Sequence, residues 1–299
     1  MTKLTTVEAT VPVPGVDYSN VKFTVEASDE KEALQYISSV ARQIGNNKFA
    51  DQVGSELGGS VATRKLKFKD TVVDFNEATH EYTKGYISGS QFAEAFTKPF
   101  NKTAIATNVA TKADLTADDV VELWDGKGDV SKFWGSAVHK ALELRFKYDP
   151  YAKKLGGKEK IITSVDYIND IVESIWDTIK LKANELPSTE LFVADGEDKV
   201  CGFIDLLVSN VDTKEVVIVD FKTNQDLEKK ISWVKDSPYE NLEPTVLSTY
   251  KLQLSLYAHI LKKAGYKVKE CQIIHAVEQP KVYKFKPLSI EEGLEWIRK

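Results

Sequence analysis

The sequence predicts an α/β (α+β) fold in which a central mixed β-sheet is flanked by helices. Three observations carry this. Amphipathic helical stripes stand before and after a block of short, β-branched segments; the order helix, strands, helix, strands runs through the central and C-terminal parts; and 299 residues, 42% of them hydrophobic, provide for one full core plus a smaller appendage. The balance of 40 Lys+Arg against 45 Asp+Glu gives a net charge of −5, which describes a soluble globular chain and not a strongly basic nucleic-acid binder. Local clusters run against that average: Arg64, Lys65, Lys67 and Lys69; Lys262, Lys263, Lys267 and Lys269; Lys281, Lys284 and Lys286. Each reads either as a track for phosphates or as a solvated face.

Taken in chain order, residues 6–26 alternate apolar and polar side chains around Pro14-Gly15, which predicts a hairpin. A helix is expected next, capped by Ser28 or Asp29 and striped by Ala33, Leu34, Ile37, Val40 and Ala41. The polar, glycine-rich stretch 45–60 reads as a connector, so residues 1–60 form a small N-terminal ββα appendage with no legible role. Two short strands around Thr83-Lys84-Gly85 lead to a helix opened by Ser88 or Ser90. Helices are predicted at 133–147, with Trp134, Ala137, Val138, Ala141 and Leu142 in one stripe, and at 165–183, with Ile168, Ile171, Val172, Ile175 and Ile179. Strands LFVAD, VCGFIDLLVS and EVVIVDFKT follow, then a helix over 247–263 and the strands CQIIHAVEQP and KVYKFKP.

Residues 1–30 lack a basic start followed by an apolar run, and no stretch reaches the roughly 18 apolar residues of a membrane span, so a cytoplasmic protein without membrane association is expected. Only Cys201 and Cys271 are present, both inside apolar runs that read as buried strands. Structural disulfides are not expected, and two thiolates cannot complete a four-cysteine zinc or iron–sulfur site.

The richest chemistry lies in GFIDLLV and VIVDFKT. If the two strands pair antiparallel with Asp205 opposite Asp220, Ser209 faces Val216 and the loop Val211–Lys214 makes the turn. Side chains two apart share a strand face, so Asp220, Lys222 and Asp205 converge. Unpaired carboxylates in such apolar strands cost several kcal/mol. A divalent cation, Mg²⁺ or Mn²⁺, held by aspartate oxygens resolves that cost, and Lys222 is then placed to orient a water and offset charge on a phosphoryl group. Cross-strand Asp–Lys pairing for stability accounts for the triplet equally well. Upstream, GSAVHKALE sets His139 beside a helix stripe with Glu143 one turn on; downstream, YKLQLSLYAHIL lines Tyr250, Gln253 and Tyr257 along one edge that also reads as a half-buried rim.

The series GSAVHKALE, GFIDLL, IVDFKT and YKLQLSLYAHIL resembles the PD-(D/E)xK nuclease superfamily, in particular its RecB-like and phage exonuclease branch, which includes mitochondrial genome maintenance exonucleases. The segment His80-Glu81-Tyr82 followed by Ser88–Ser90 is similar to the region before the core in phage members. The resemblance implies a restriction-endonuclease-like core over about 130–265 within a nuclease domain at 61–299. It implies that Asp205 and Asp220 hold the metal with His139 and the Phe221 carbonyl. Lys222 would activate the water, Gln253 and Tyr257 would steady the active site or the DNA strand, and Glu190 would be a supporting carboxylate. The implied activity is metal-dependent DNA exonuclease action, phage-encoded, in recombination, end processing or degradation. A structure-tolerant endonuclease of the same fold and a non-catalytic DNA-binding module are the alternatives. The implied partners are DNA ends and a single-strand-binding protein or helicase.

Overall fold

A computed structural model describes residues 5–12, 20–27, 63–76, 81–83, 85–113, 115–154 and 165–298. The chain divides into two compact units: Met1–Arg64, Phe75–Glu81 and Asn101–Trp134 form one, and Lys65–Asp74, Tyr82–Phe100 and Gly135–Lys299 the other.

In the first unit, strands β1 (Thr5–Pro12) and β2 (Asn20–Ala27) pair antiparallel from Thr5↔Ala27 to Pro12↔Asn20, which is the expected hairpin. The expected helix and the connector at 45–60 lie outside the described residues. Strands β3 (Thr63–Phe68), β4 (Thr71–Asn76) and β5 (Glu81–Tyr82) follow in a three-stranded sheet of that order. β6 (Ile87–Ser88) then leads into α1 (Gly89–Glu94), whose N-cap is Ser88: its hydroxyl accepts from the Gln91 N–H while the Gln91 side chain accepts from the Ser88 N–H.

Helix α2 (Lys102–Ala113) was not legible in the sequence because its buried stripe is two alanines, Ala106 and Ala110, which close on Val120. Helix α3 (Ala117–Lys154) is far longer than the 133–147 predicted. It starts at Thr116, which exchanges hydrogen bonds with Asp119, and it runs through Gly126 and Gly128, residues of low helix propensity. Its later turns, in the second unit, bury Val138, Ala141, Leu142 and Phe146. Phe146 packs on Trp176 of α4 (Asp166–Ile179) with ring centroids 5.0 Å apart, and Arg145 both pairs with Glu173 and covers the Trp176 ring. α4 ends at Ile179, four residues earlier than predicted, where the left-handed φ of 43° at the cap residue Lys180 breaks the helix.

The second unit holds the mixed sheet, ordered β11-β10-β9-β8-β6 with β7 also on β8. β7 (Glu185–Asp195) and β9 (Glu215–Lys222) both pair antiparallel with β8 (Val200–Asn210); β10 (Lys267–His275) pairs parallel with β9, and β11 (Lys281–Phe285) antiparallel with β10. The apolar strands β8 and β9 are buried along most of their length, as are Cys201 and Cys271, both free thiols, with burial pushing each up to about 12. Helix α5 (Val246–Lys263) is capped by Thr245 and buries Leu252, Leu254 and Leu261. Helix α6 (Glu291–Ile297), too short for a stripe to be read, ends the described chain. No described helix is long and apolar enough to cross a membrane.

One polar knot ties the β7–β8 turn to α5 and to the C-terminal residues. Asp198 meets His259 and Lys263, each at 2.9 Å, and also Arg298. Burial by itself pushes the Asp198 carboxyl up, but these three donors outweigh it and hold the group at about 2. A carboxylate held below its unfolded value near about 4 stabilises the fold above that pH and loses the contribution as pH falls toward the folded value. Asp198→Asn is expected to cost about 1–3 kcal/mol at neutral pH. In denaturation series from pH 6 to pH 2, the gap between wild type and variant should close below about pH 4; a pH-independent gap would contradict this.

Candidate active site

The site forms where β8 and β9 part. Their pairing runs Ser209↔Val216, Val208↔Val217, Leu207↔Ile218 and Leu206↔Val219, the register expected from the sequence, with the turn at Val211–Lys214. Beyond Leu206 the edge of β8 is taken over by β6, through Ser88↔Cys201 and Ile87↔Val200. Asp205 lies in the gap between these two pairings. Its Oδ2 accepts the Phe221 N–H at 2.8 Å, so a side chain satisfies the backbone donor that the parting strand would otherwise leave bare.

Asp220 is buried, and the Lys222 Nζ stands 2.8 Å from its Oδ2. The contact is a charge-assisted pair, and among the described residues no other donor reaches that oxygen. Burial raises Asp220 to about 6, with Lys222 opposing the rise and Asp205 adding to it. Burial works against the charge on Lys222, yet Asp220 and Asp205 outweigh it and hold the ammonium above its ordinary value. His139, on α3, brings Nδ1 to 3.5 Å from Asp205 Oδ2, with its ring edge-on to Phe221.

Glu190 stands in the middle of β7, not at the start of a strand as LFVAD suggested. It sits between the pairs Thr189↔Leu206 and Leu191↔Ile204, opposite Asp205, with φ at 48°. A left-handed backbone in a non-glycine strand residue costs of order 1 kcal/mol. Burial, then Asp205 and Glu143, push Glu190 up to about 7 against the opposing charge of Lys140. With Gly135, Ser136, His139, Lys140 and Glu143 it lines a cavity of about 350 Å³.

Gln253 donates from Nε2 to the Tyr257 hydroxyl at 3.2 Å. Tyr257 itself is buried, its ring wedged over two glycines: a Cβ on Gly202 would come within 2.5 Å of the ring and one on Gly89 within 2.7 Å. The glycine of GFIDLL is thus a packing requirement of the tyrosine in YKLQLSLYAHIL, a link between two motifs that spacing alone did not reveal. Gly135 plays a similar part, since a Cβ there would stand 2.8 Å from Thr223 Oγ1, just past Lys222. His80 lies outside the described residues. Among the basic clusters, Lys263, Lys267 and Lys281 are engaged in ion pairs with Asp195, Glu215 and Glu228.

The oxygen-rich donors fit a hard divalent cation. Several carboxylates gather with more negative charge than Lys222 offsets, and the buried Asp220 Oδ2 has Lys222 as its one donor among the described residues. Among the described residues no three His, Cys, Asp or Glu side chains stand close enough to form a ready coordination shell. Lys222 covers Asp220, and the Phe221 amide engages one oxygen of Asp205.

Gly202→Ala should destabilise the fold by about 1–3 kcal/mol in urea denaturation, because the Tyr257 ring has nowhere to retreat. Unchanged stability would show that the ring leaves its slot at little cost.

No curated protein matches the chain. The family model of the PD-(D/E)XK nuclease superfamily matches residues 117–298, a span that takes in α3, every strand of the mixed sheet except β6, α5 and the side chains of Asp205, Asp220, Lys222, His139 and Glu190. The chain therefore belongs to the PD-(D/E)XK nuclease superfamily, whose members hydrolyse phosphodiester bonds, typically with divalent metal ions.

Proposed function

We propose that this protein is a Mg²⁺- or Mn²⁺-dependent DNA exonuclease of the RecB-like branch, phage-encoded and acting in DNA recombination, end processing or degradation. The observation that carries the metal-dependent nuclease reading is the convergence of Asp205, Asp220 and Lys222 at the parting of β8 and β9, with Asp220 buried and paired to Lys222. The exonuclease reading rests on the resemblance of the four motifs to that branch. Residues 61–299 are the proposed nuclease domain, with residues 1–60 as an appendage.

In this reading Asp205, Asp220, His139 and the Phe221 carbonyl hold the cation. When bound, the cation supplies Lewis acidity to the phosphoryl oxygen and lowers the pKa of water. Lys222 donates hydrogen bonds that orient the attacking water and offset charge gathering on the phosphoryl group. Displacement in line with the 3′ oxygen leaves a 5′-phosphate and a 3′-hydroxyl. In this reading Gln253, hydrogen-bonded to the wedged Tyr257, and Tyr257 itself steady the active site or the DNA strand. Glu190, at the cavity wall beside Asp205, supports the donor set. DNA ends are the proposed substrate, with a single-strand-binding protein or helicase as the protein partner.

The test uses end-labelled single-stranded and duplex DNA together with a closed circle. Wild type should degrade the linear substrates with Mg²⁺ or Mn²⁺, spare the circle and stop in EDTA. Lys222→Ala should lose at least about 100-fold in kcat. Cutting of the circle would replace the exonuclease with an endonuclease, and inactivity of folded wild type in both metals would leave a non-catalytic DNA-binding module.

A further inference from the structure

Lys222 is held from two sides, and only one of them is a charge. Opposite Asp220, the ammonium lies 4.5 Å from the centroid of the Tyr250 ring, which stands early in α5. That ring is itself fastened. Its hydroxyl donates to Asn224 Oδ1 at 2.9 Å, so a residue two places after Lys222 holds the tyrosine against the lysine. The Asn224 carbonyl lies 2.6 Å from His275 Nε2. Because a carbonyl only accepts, this contact assigns the proton to Nε2. His275 is the register partner of Lys222 across β9 and β10, and the next residue, Ala276, donates its N–H to the Lys222 carbonyl at 2.8 Å. Main chain, loop and ring therefore close a loop of contacts around one side chain.

We propose that Tyr250 is a positioning residue whose ring face holds the Lys222 ammonium beside Asp220. A flexible four-carbon stem does not fix an ammonium by itself. Asp220 attracts it, but Asp220 is also a proposed cation ligand, and a carboxylate shared between two positive charges holds each less well. An aromatic face attracts a cation without offering a carboxylate for which a metal would compete, and it does so most strongly where water is excluded. Lys222 is mostly buried, with a side-chain exposure of 16%, so the ring acts on a largely desolvated ammonium. Burial raises the Tyr250 hydroxyl, which keeps it protonated as the donor to Asn224.

The catalytic consequence rests on the nuclease reading, whereas the contact does not, and the experiment separates them. Full-length wild type, Tyr250→Leu, Tyr250→Met and Tyr250→Phe are labelled in EDTA with a small amine-reactive acetyl ester. Modification of Lys222 is followed by mass spectrometry, with Lys140 as the internal reference for an intact fold. Loss of the ring should speed Lys222 labelling at least about threefold in the Leu and Met variants, while Phe, which keeps the face, stays within about twofold of wild type. On DNA with Mn²⁺, kcat should fall about 10–30-fold in Leu and Met with KM within about twofold, and Phe should recover most of it. Equal Lys222 labelling in all four proteins overturns the proposal. So does a Phe variant as impaired as Leu, which would place the role in the hydroxyl. If wild type cuts no DNA, the nuclease reading fails and the labelling alone decides whether Tyr250 holds Lys222.

Discussion

Everything at the site depends on where the β8–β9 ladder stops. Two neighbouring strands that stayed paired to the end would spend the Phe221 N–H on a β8 carbonyl and leave no gap for a side chain. Instead the β8–β9 pairs end at Leu206↔Val219, β6 takes the vacated edge of β8, and the Asp205 carboxylate reaches across to the Phe221 amide. A backbone donor in a buried place must be satisfied, so the parting and the aspartate come together. One bond thus fixes an oxygen of Asp205 beside the strand that carries Asp220 and Lys222.

The arrangement has an electrostatic consequence. Asp205, Asp220 and Glu190 lie close together, and both Asp220 and Glu190 are driven upward by burial first, with a neighbouring carboxylate adding to the rise. Lys222 relieves part of this charge, and His139 stands near Asp205. Such a gathering of acidity is relieved by a further positive charge, which is what the proposed cation would supply. The strained backbone of Glu190 points the same way, since a left-handed residue in a strand persists when the surroundings hold it there. Tyr257, packed on Gly89 and Gly202, braces α5 against β8 and α1, so the helix bearing Gln253 and Tyr250 is set at a fixed distance from the strands.

Much of this was legible in the sequence, for reasons that can be named. The register of β8 and β9 followed from two apolar runs joined by a short polar loop, and the convergence of Asp205, Asp220 and Lys222 followed from the period of a strand. A serine cap at Ser88 or Ser90 was legible from the turn before the helix, and the capping box with Gln91 settles it on Ser88. Other features were not. α2 buries alanines, which leave no hydrophobic stripe, and the first half of α3 was hidden by Gly126 and Gly128, which a helix accepts where nothing crowds them. The mid-strand place of Glu190 depends on a local backbone reversal that no pattern of side chains encodes. The demand of Tyr257 for two glycines, and the clamp of Tyr250 on Asn224, join residues far apart in the chain and become visible only when the fold brings them together.

The central claim is that Asp205 and Asp220, brought together by the parting of two strands, are the metal ligands of this nuclease. Anomalous diffraction from crystals soaked in Mn²⁺ tests it most directly. The account predicts a peak between the Asp205 and Asp220 carboxylates, next to the Phe221 carbonyl, that disappears in Asp220→Asn. A peak elsewhere, or none at a Mn²⁺ concentration that supports DNA cleavage, would contradict it.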